Sequence, residues 1–309
     1  YDVMTVGEMP GSTPKDAITY TGLNANELNM VFQFEHVGLS PNPDARLGKW
    51  NAVPVKLTEL KDSLSRWQTA LDGKGWNSLY WNNHDQPRAV SRFGNDTPEF
   101  RERSAKMLAT TLHMMQGTPY VYEGEELGMT NVHYTQLDQY EDLESLNAYH
   151  ELVDDQHIVD QPTMLKYLSH ISRDNARTPM HWDDSTNAGF TTGQPWFALN
   201  PNYPTINAAD QPDQDDSVFN YYRRLITLRH SSDLIVLGSY EELDPEDDQV
   251  FAYKRHYQGQ TLLVMSNFTD QTVTRDYGQA EASERLIGNY ADDQGTTLRP
   301  YETKVYVFK

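Results

Sequence analysis

Cysteine is absent from the 309 residues. That excludes disulfides, a Cys-ligated zinc and a thiol nucleophile together, and it agrees with a cytoplasmic location. No run of about 18 apolar residues occurs, so no membrane span is expected, and no basic-then-apolar leader opens the chain. Positive charge is scarce: 25 Lys and Arg stand against 45 Asp and Glu, a formal charge of −20. Such a surplus repels phosphate backbones and anionic lipid, so the expected partners are neutral or cationic, with no nucleic acid and no membrane. An initiating Met is also lacking. The chain begins at Tyr1 and enters the apolar run Val3 to Val6 at once, as a chain cut from a longer one does.

What is present is enough for a sizeable core, with 38% hydrophobic residues over a length that suits one large domain and one small one. Up to about residue 125, short apolar runs alternate with amphipathic helices. Strands are expected over Asp2 to Glu8, Met30 to Glu35, Ser78 to Asn83 and Pro119 to Glu123. Thr13-Pro14 is an N-cap followed by a proline at the first helical position. Leu57, Leu60, Leu64, Trp67 and Leu71 recur at spacings of three and four, which puts them on one helix face, and Gly73 is placed to end that helix. Thr97-Pro98 is expected to start a helix striped by Ala105, Leu108, Leu112 and Met115, closed by Gly117 and Pro119.

Strand and helix alternating at this length imply right-handed βαβ units and a parallel sheet, either doubly wound or a (β/α)8 barrel, and four such units fit half a barrel. Residues 132–172 interrupt the alternation with two helical patterns, one through Leu143, Leu146 and Leu152, the other through Met164, Leu165, Leu168 and Ile171. A helix near Tyr221 to Arg229 follows an Asp- and Pro-rich stretch at 200–216. After about residue 235 the character turns β-rich, with runs at Gln249 to His256, Thr261 to Phe268 and Thr303 to Phe308 and a Gln258-Gly259 turn, which suggests a small antiparallel sandwich. The expected division is 1–235 and 236–309.

Acidic residues fall repeatedly where parallel strands end: Glu8, Glu35, Asp85 with His84, then Glu123, Glu125 and Glu126. In (β/α)8 enzymes that edge builds the active site. Two carboxylates held there in different environments are what glycosidic cleavage requires, one protonated and one ionised. By position alone Glu8 is equally a solvated carboxylate at a strand end, Asp85 equally the cap of the turn into Gln86-Pro87, and His84 a hydrogen-bonded structural histidine. Tyr134, Trp182, Phe190 and Trp196 suit stacking on sugar faces, and suit a core as well.

The motifs decide between these readings. Thr5-Val6-Gly7-Glu8 with Met9-Pro10-Gly11, and Trp81 through Arg88, resemble the fifth- and seventh-strand signatures of glycoside hydrolase family 13, the α-amylase family. Gly117 through Met129 is similar to the family's eighth-strand motif, and Arg173-Asp174-Asn175-Ala176-Arg177 to a segment of its oligo-1,6-glucosidase subgroup. The resemblance implies the C-terminal half of a TIM barrel, strands five to eight, followed by the β domain. It implies Glu8 as the acid/base, Asp85 as the carboxylate that holds substrate hydroxyls and stabilises the transition state, and His84 and Arg173 as ligands of the terminal glucose. Glu144 falls where the subgroup places an acidic residue near the next sugar, and Arg177 has an alternative structural reading. Glu123 stands where the subgroup often has glutamine, and the loop from Gly38 to Arg46 lacks the arginine- and aspartate-rich run of sucrose isomerases.

The implied activity is a retaining, exo-acting α-glucosidase that removes glucose from the non-reducing end of short α-1,6-linked oligosaccharides. Dextran glucosidase, trehalose-6-phosphate hydrolase and a non-catalytic amylase-like binding protein are the alternatives. No cofactor or metal is implied. The family's nucleophile is an aspartate on the fourth strand, which this sequence does not contain, so the 309 residues alone are expected to be inactive. Half a barrel also leaves an unpaired strand edge open to another copy of the chain.

Overall fold

The computed structural model describes residues 3–309; Asp2, where the first strand reading begins, lies outside the described residues. Strand β1 (Val6–Met9) lies parallel to β2 (Met30–Gln33), with Glu8 opposite Phe32. Helix α1 (Pro14–Thr21) crosses between them and begins in a capping box, in which Thr13 and Asp16 satisfy each other's backbone N–H groups. Helix α2 (Leu57–Leu71) leads to β3 (Ser78–Leu79), and the short α3 (Ala89–Phe93) and α4 (Arg101–His113) lead to β4 (Thr118–Pro119), which is parallel to β3. One parallel bridge, Val31 to Asn77, joins the two strand pairs into the order β1-β2-β3-β4.

These strands are shorter than their apolar runs suggest. Beyond Leu79 the backbone leaves the ladder because side chains take over its anchoring: the Tyr80 hydroxyl donates to the Gln33 carbonyl and the Trp81 indole donates to Leu108 O at 2.8 Å, both rings being buried. The α4 start also moves, from Thr97 to Arg101. Asn95 Oδ1 accepts from both the backbone N and the hydroxyl of Thr97, so the expected cap is engaged in a turn one step earlier.

The excursion forms α5 (Leu143–Tyr149), running into a π-helical turn at His150–Asp155, and then α6 (Gln161–Ile171). It has its own apolar cluster, in which Tyr134, Tyr140, Met164 and Leu168 pack with Trp50. Leu143, expected on the buried stripe, is exposed at the first position of α5, and Tyr134 is core. Helix α7 (Val218–His230), capped by Ser217, and α8 (Asp233–Leu237) close this part.

The last third is antiparallel. Strands β5 (Ser239–Leu243), β6 (Val250–Tyr257), β7 (Gln260–Asn267), β9 (Glu284–Gly288) and β11 (Thr303–Phe308) make one sheet in the order β5-β6-β7-β11-β9, while β8 (Val273–Thr274) pairs with β10 (Thr297–Leu298). The β6–β7 turn needs positive φ at both Gln258 (48°) and Gly259 (82°), which its glycine accommodates. Alternate residues separate two interiors. Val250, Ala252, Leu263, Met265 and Tyr306 face the β8/β10 ribbon, whereas Phe251, Tyr253, Leu262, Val264 and Val305 join the main core with α4, α7 and α8. The domain is therefore one five-stranded sheet between a two-stranded ribbon and helices, not two comparable sheets face to face. Among the described residues no helix is long and apolar enough to cross a membrane.

Candidate active site

Asp85 follows β3 on a turn fixed by Asn83, whose side-chain oxygen accepts from the Asp85 backbone N at 2.8 Å. Its carboxylate is the centre of a charged cluster. Oδ1 accepts from Arg177 Nη2 at 2.6 Å and from Arg173 Nη1 at 3.2 Å, and His84 Nε2 lies 3.4 Å from Oδ2. Burial pushes this carboxyl up, but the hydrogen bonds from Arg173 and Arg177 with the charges of His84 and Arg173 outweigh it and hold Asp85 below its ordinary value. At neutral pH it is an anion.

The same arginines reach a second pair of acids. Arg173 Nε is 2.8 Å from Glu144 and 3.4 Å from Asp142, and Arg177 Nη1 is 3.2 Å from Asp142. Lys49 closes the group at 2.6 Å from Glu144. Three cations, Lys49, Arg173 and Arg177, thus meet three carboxylates, Asp85, Asp142 and Glu144, and no cation of the cluster is left over among the described residues.

Each residue of the Arg173–Arg177 segment has a distinct task. Asp174 Oδ2 accepts from the backbone N of Glu141 (2.8 Å) and Asp142 (3.2 Å), which fixes where α5 begins. Asn175 accepts from Val132 N and donates to the Ser172 carbonyl at the end of α6. Arg177 Nε donates to His84 O at 2.9 Å, so it holds the backbone beside Asp85 as well as its carboxylate. Arg177 is therefore part of the cluster, and Asp142 and Lys49 join it; sequence reading named none of these three as site residues. An Asp-capped helix start just before Glu144 was the available signal for Asp142.

Arg88 is the buried tie behind the site. It donates to Glu123 O at 2.5 Å and to Asn175 O at 3.3 Å, linking the loop after β4 to the segment that carries both arginines. Gly124 must be glycine there: it sits at φ 88°, and a Cβ would meet Met129 Sδ at 2.4 Å and Arg88 Nη1 at 2.9 Å. Glu123 itself is exposed and is not among the acids bound to Arg173 or Arg177. Glu125 is fully buried with one partner, the Tyr222 hydroxyl at 2.7 Å, and burial pushes it up to about 8.

Glu8 stands apart from this cluster. It is exposed on β1, two strands from β3, with no ion pair among the described residues, and its charge adds to the burial that raises the buried Tyr80 hydroxyl. The structure thus gathers Asp85, His84, Arg173 and Glu144 through direct ion pairs and hydrogen bonds, whereas Glu8, exposed on β1, makes no such contact with them among the described residues. Among the described residues no group of three or more His, Asp or Glu side chains converges to hold a metal.

Residues 1–238 match the model of the alpha amylase catalytic domain, and residues 240–304 that of the maltogenic amylase C-terminal domain. The oligo-1,6-glucosidase of Parageobacillus thermoglucosidasius is 51% identical over 99% of this chain and 55% of its own length. The trehalose-6-phosphate hydrolase of Bacillus subtilis is 45% identical over the same shares. Among solved structures, the trehalose-6-phosphate hydrolase of Bacillus licheniformis superposes with a TM-score of 0.92 at 41% identity, and the isomaltulose synthase of Klebsiella sp. LX3 with 0.94 at 36%; each covers the whole chain and 57% or 56% of the other protein. The chain spans a little over half the length of the relatives it matches.

Proposed function

The chain belongs to the α-amylase family, whose TIM-barrel catalytic domain and all-β C-terminal domain it shares, and from that premise we propose that it supplies part of the site of a retaining α-glucosidase acting on short α-1,6-linked oligosaccharides in the cytoplasm. The observation that carries the reading is Asp85, an ionised carboxylate on the turn that follows β3, held by two arginines and flanked by an exposed histidine. In this reading Arg173 and Arg177 preset Asp85 to accept sugar hydroxyls and to face an oxocarbenium-like centre, and His84 donates to the same ring. Glu8, unencumbered on β1, is the acid/base. Glu144 and Asp142 meet the arginines from the far side and shape the subsite for the next sugar.

Charge balance favours an unphosphorylated substrate. Lys49, Arg173 and Arg177 are each matched by a carboxylate, so the cluster has no surplus cation for a phosphate. That balance supports the reading over a trehalose-6-phosphate hydrolase, which is the second reading.

Retention needs a nucleophilic carboxylate about 5 Å from the acid/base, and neither Asp85 nor Glu144 is assigned that role. The 309-residue chain, purified free of host glucosidase, is therefore expected to release no chromophore from an aryl α-glucoside. Turnover by it would refute this part. In a chain extended to the full length of its relatives, isomaltose hydrolysis with retained configuration is expected, falling by about 10²–10⁴ in kcat on Glu8→Gln and by about 10²–10³ on Asp85→Asn. Full activity of either variant would overturn the assignment. The remaining partner is a second copy of the chain, met through the edge of β1 that is unpaired among the described residues.

A further inference from the structure

Trp196 is the most exposed aromatic side chain among the described residues, at 73%. A lone exposed indole means little by itself, but this one forms a wall of an open cleft of about 500 Å³. Gln194 stands beside it, and Gln136, Asp138, Gln139 and Glu141 line the cleft from the excursion, with no Lys or Arg among the lining residues. The indole is not exposed through slackness. Tyr134 donates to Ala198 O at 2.9 Å, Asn187 Nδ2 donates to Thr191 O and Gly193 O at 3.1 and 2.8 Å, and the buried Phe197 packs its ring 4.5 Å from that of Trp196. The loop is pinned on both sides of the tryptophan while the ring face stays in water.

A flat apolar face opposite amides and carboxylates is complementary to a pyranose, which has an apolar C–H face and a rim of hydroxyls. The acidic, cation-free lining disfavours anions, and the stacking face with its amides suits a neutral sugar. The volume lies within the range of small-molecule clefts. Its position is informative too: Glu141 adjoins Asp142, which Arg173 and Arg177 contact, so the cleft opens beside the catalytic cluster without containing any of its cations. We propose that the Trp196 cleft is a second carbohydrate-contact site, which holds the distal part of a neutral oligosaccharide longer than a disaccharide by stacking one ring on the indole. The class of sugar rests on the α-glucosidase reading; binding itself does not depend on turnover.

The test is a titration of isomaltotetraose into the 309-residue chain, following the indole N–H resonance of Trp196, identified by its loss in Trp196→Phe. A saturating shift is expected, with calorimetric affinity falling roughly tenfold in Trp196→Ala and the shift persisting in Asp85→Asn. An unmoved resonance at about 50 mM sugar, a level that would reveal even millimolar binding, overturns the proposal. So does an equal shift with glycerol, or loss of the shift in Asp85→Asn, which would place the sugar in the catalytic cluster instead. If the extended chain fails to hydrolyse isomaltose while Trp196 still shifts, the α-glucosidase reading falls and the cleft stands.

Discussion

A fully buried carboxyl with one hydrogen-bond donor does not ionise at its ordinary pH. Glu125 receives only the Tyr222 hydroxyl on Oε1, its Oε2 has no partner among the described residues, and neither polar atom of the neighbouring Asn82 side chain has one. Burial, with the charge of Glu126 added, lifts Glu125 to about 8 from the 4.5 of an exposed glutamate. The folded value lies above the unfolded one, so the associated stability is complete below about pH 4.5 and is lost as pH rises through 8, at about 1.4 kcal/mol per pH unit. Between pH 6 and 8 this group should cost the chain on the order of 2 kcal/mol. Glu125→Gln, neutral at every pH, should remove that decline, so urea midpoints at the two pH values should converge in the variant and separate in the parent. Equal pH dependence of both would sink the claim. Glu125 was legible only as one of three acids after a strand, since its burial depends on α7 placing Tyr222 over it. Asp85, His84 and Arg173 were legible because their motif spacing is local. Arg177 as a site residue was not: its contact with Asp85 spans 92 positions, as that of Arg173 spans 88, so no local spacing shows either contact, and Arg173 was named only through its motif.

Two buried arginines finish α4. Arg229, from the last turn of α7, donates to the carbonyls of His113 (2.6 Å), Met115 (2.8 Å) and Gly117, and Arg255, from β6, donates to Met114 O (2.5 Å) and Ile235 O (3.1 Å). They take up carbonyls that the helix end leaves unpaired and oppose its negative dipole. Burial pushes both guanidinium groups down to about 10, which leaves them charged at neutral pH. Arg229→Leu should therefore destabilise the chain by roughly 3 kcal/mol or more, since three carbonyls lose a charged donor. Arg229→Lys should recover only part of this, because one ammonium cannot span the three positions of a planar fork. Denaturant midpoints check the order, and amide exchange at Thr118 and Tyr120, whose N–H groups bond Asn77 O and Leu79 O, should speed up first. A midpoint unchanged in the leucine variant would refute the role. The helices themselves could be read from their apolar stripes, but the strands were overestimated. Nothing in the alternation of Tyr80, Trp81 and Asn82 shows that side-chain bonds to Gln33 and Leu108 replace the ladder.

At the scale of the molecule, alternating elements announced the parallel sheet and the β-rich run announced the antiparallel one, while the packing of the latter against α4 and α7 was hidden. Both faces of β6 and β7 are apolar, and an apolar face does not reveal whether helices or a second sheet will cover it. The same order β1-β2-β3-β4 leaves β1 paired only with β2 and β4 only with β3 among the described residues. Just before β1, Val3 and Met4 are 65% and 61% exposed. An open edge with apolar neighbours favours pairing with another chain, but two copies each carrying −20 repel one another. Salt decides which effect wins. Repulsion spread over a whole surface is screened once the Debye length falls from about 30 Å at 0.01 M to about 3 Å at 1 M, whereas backbone pairing and apolar contact are not weakened. The chain is accordingly expected to be monomeric in 10 mM salt and to associate in 1 M sodium chloride. Met4→Lys, which sets a charge beside the edge, should keep it monomeric in both. Light scattering at matched protein concentration reads the mass directly, and a single-chain mass for the parent at 1 M salt would remove the β1 edge as a site of self-association.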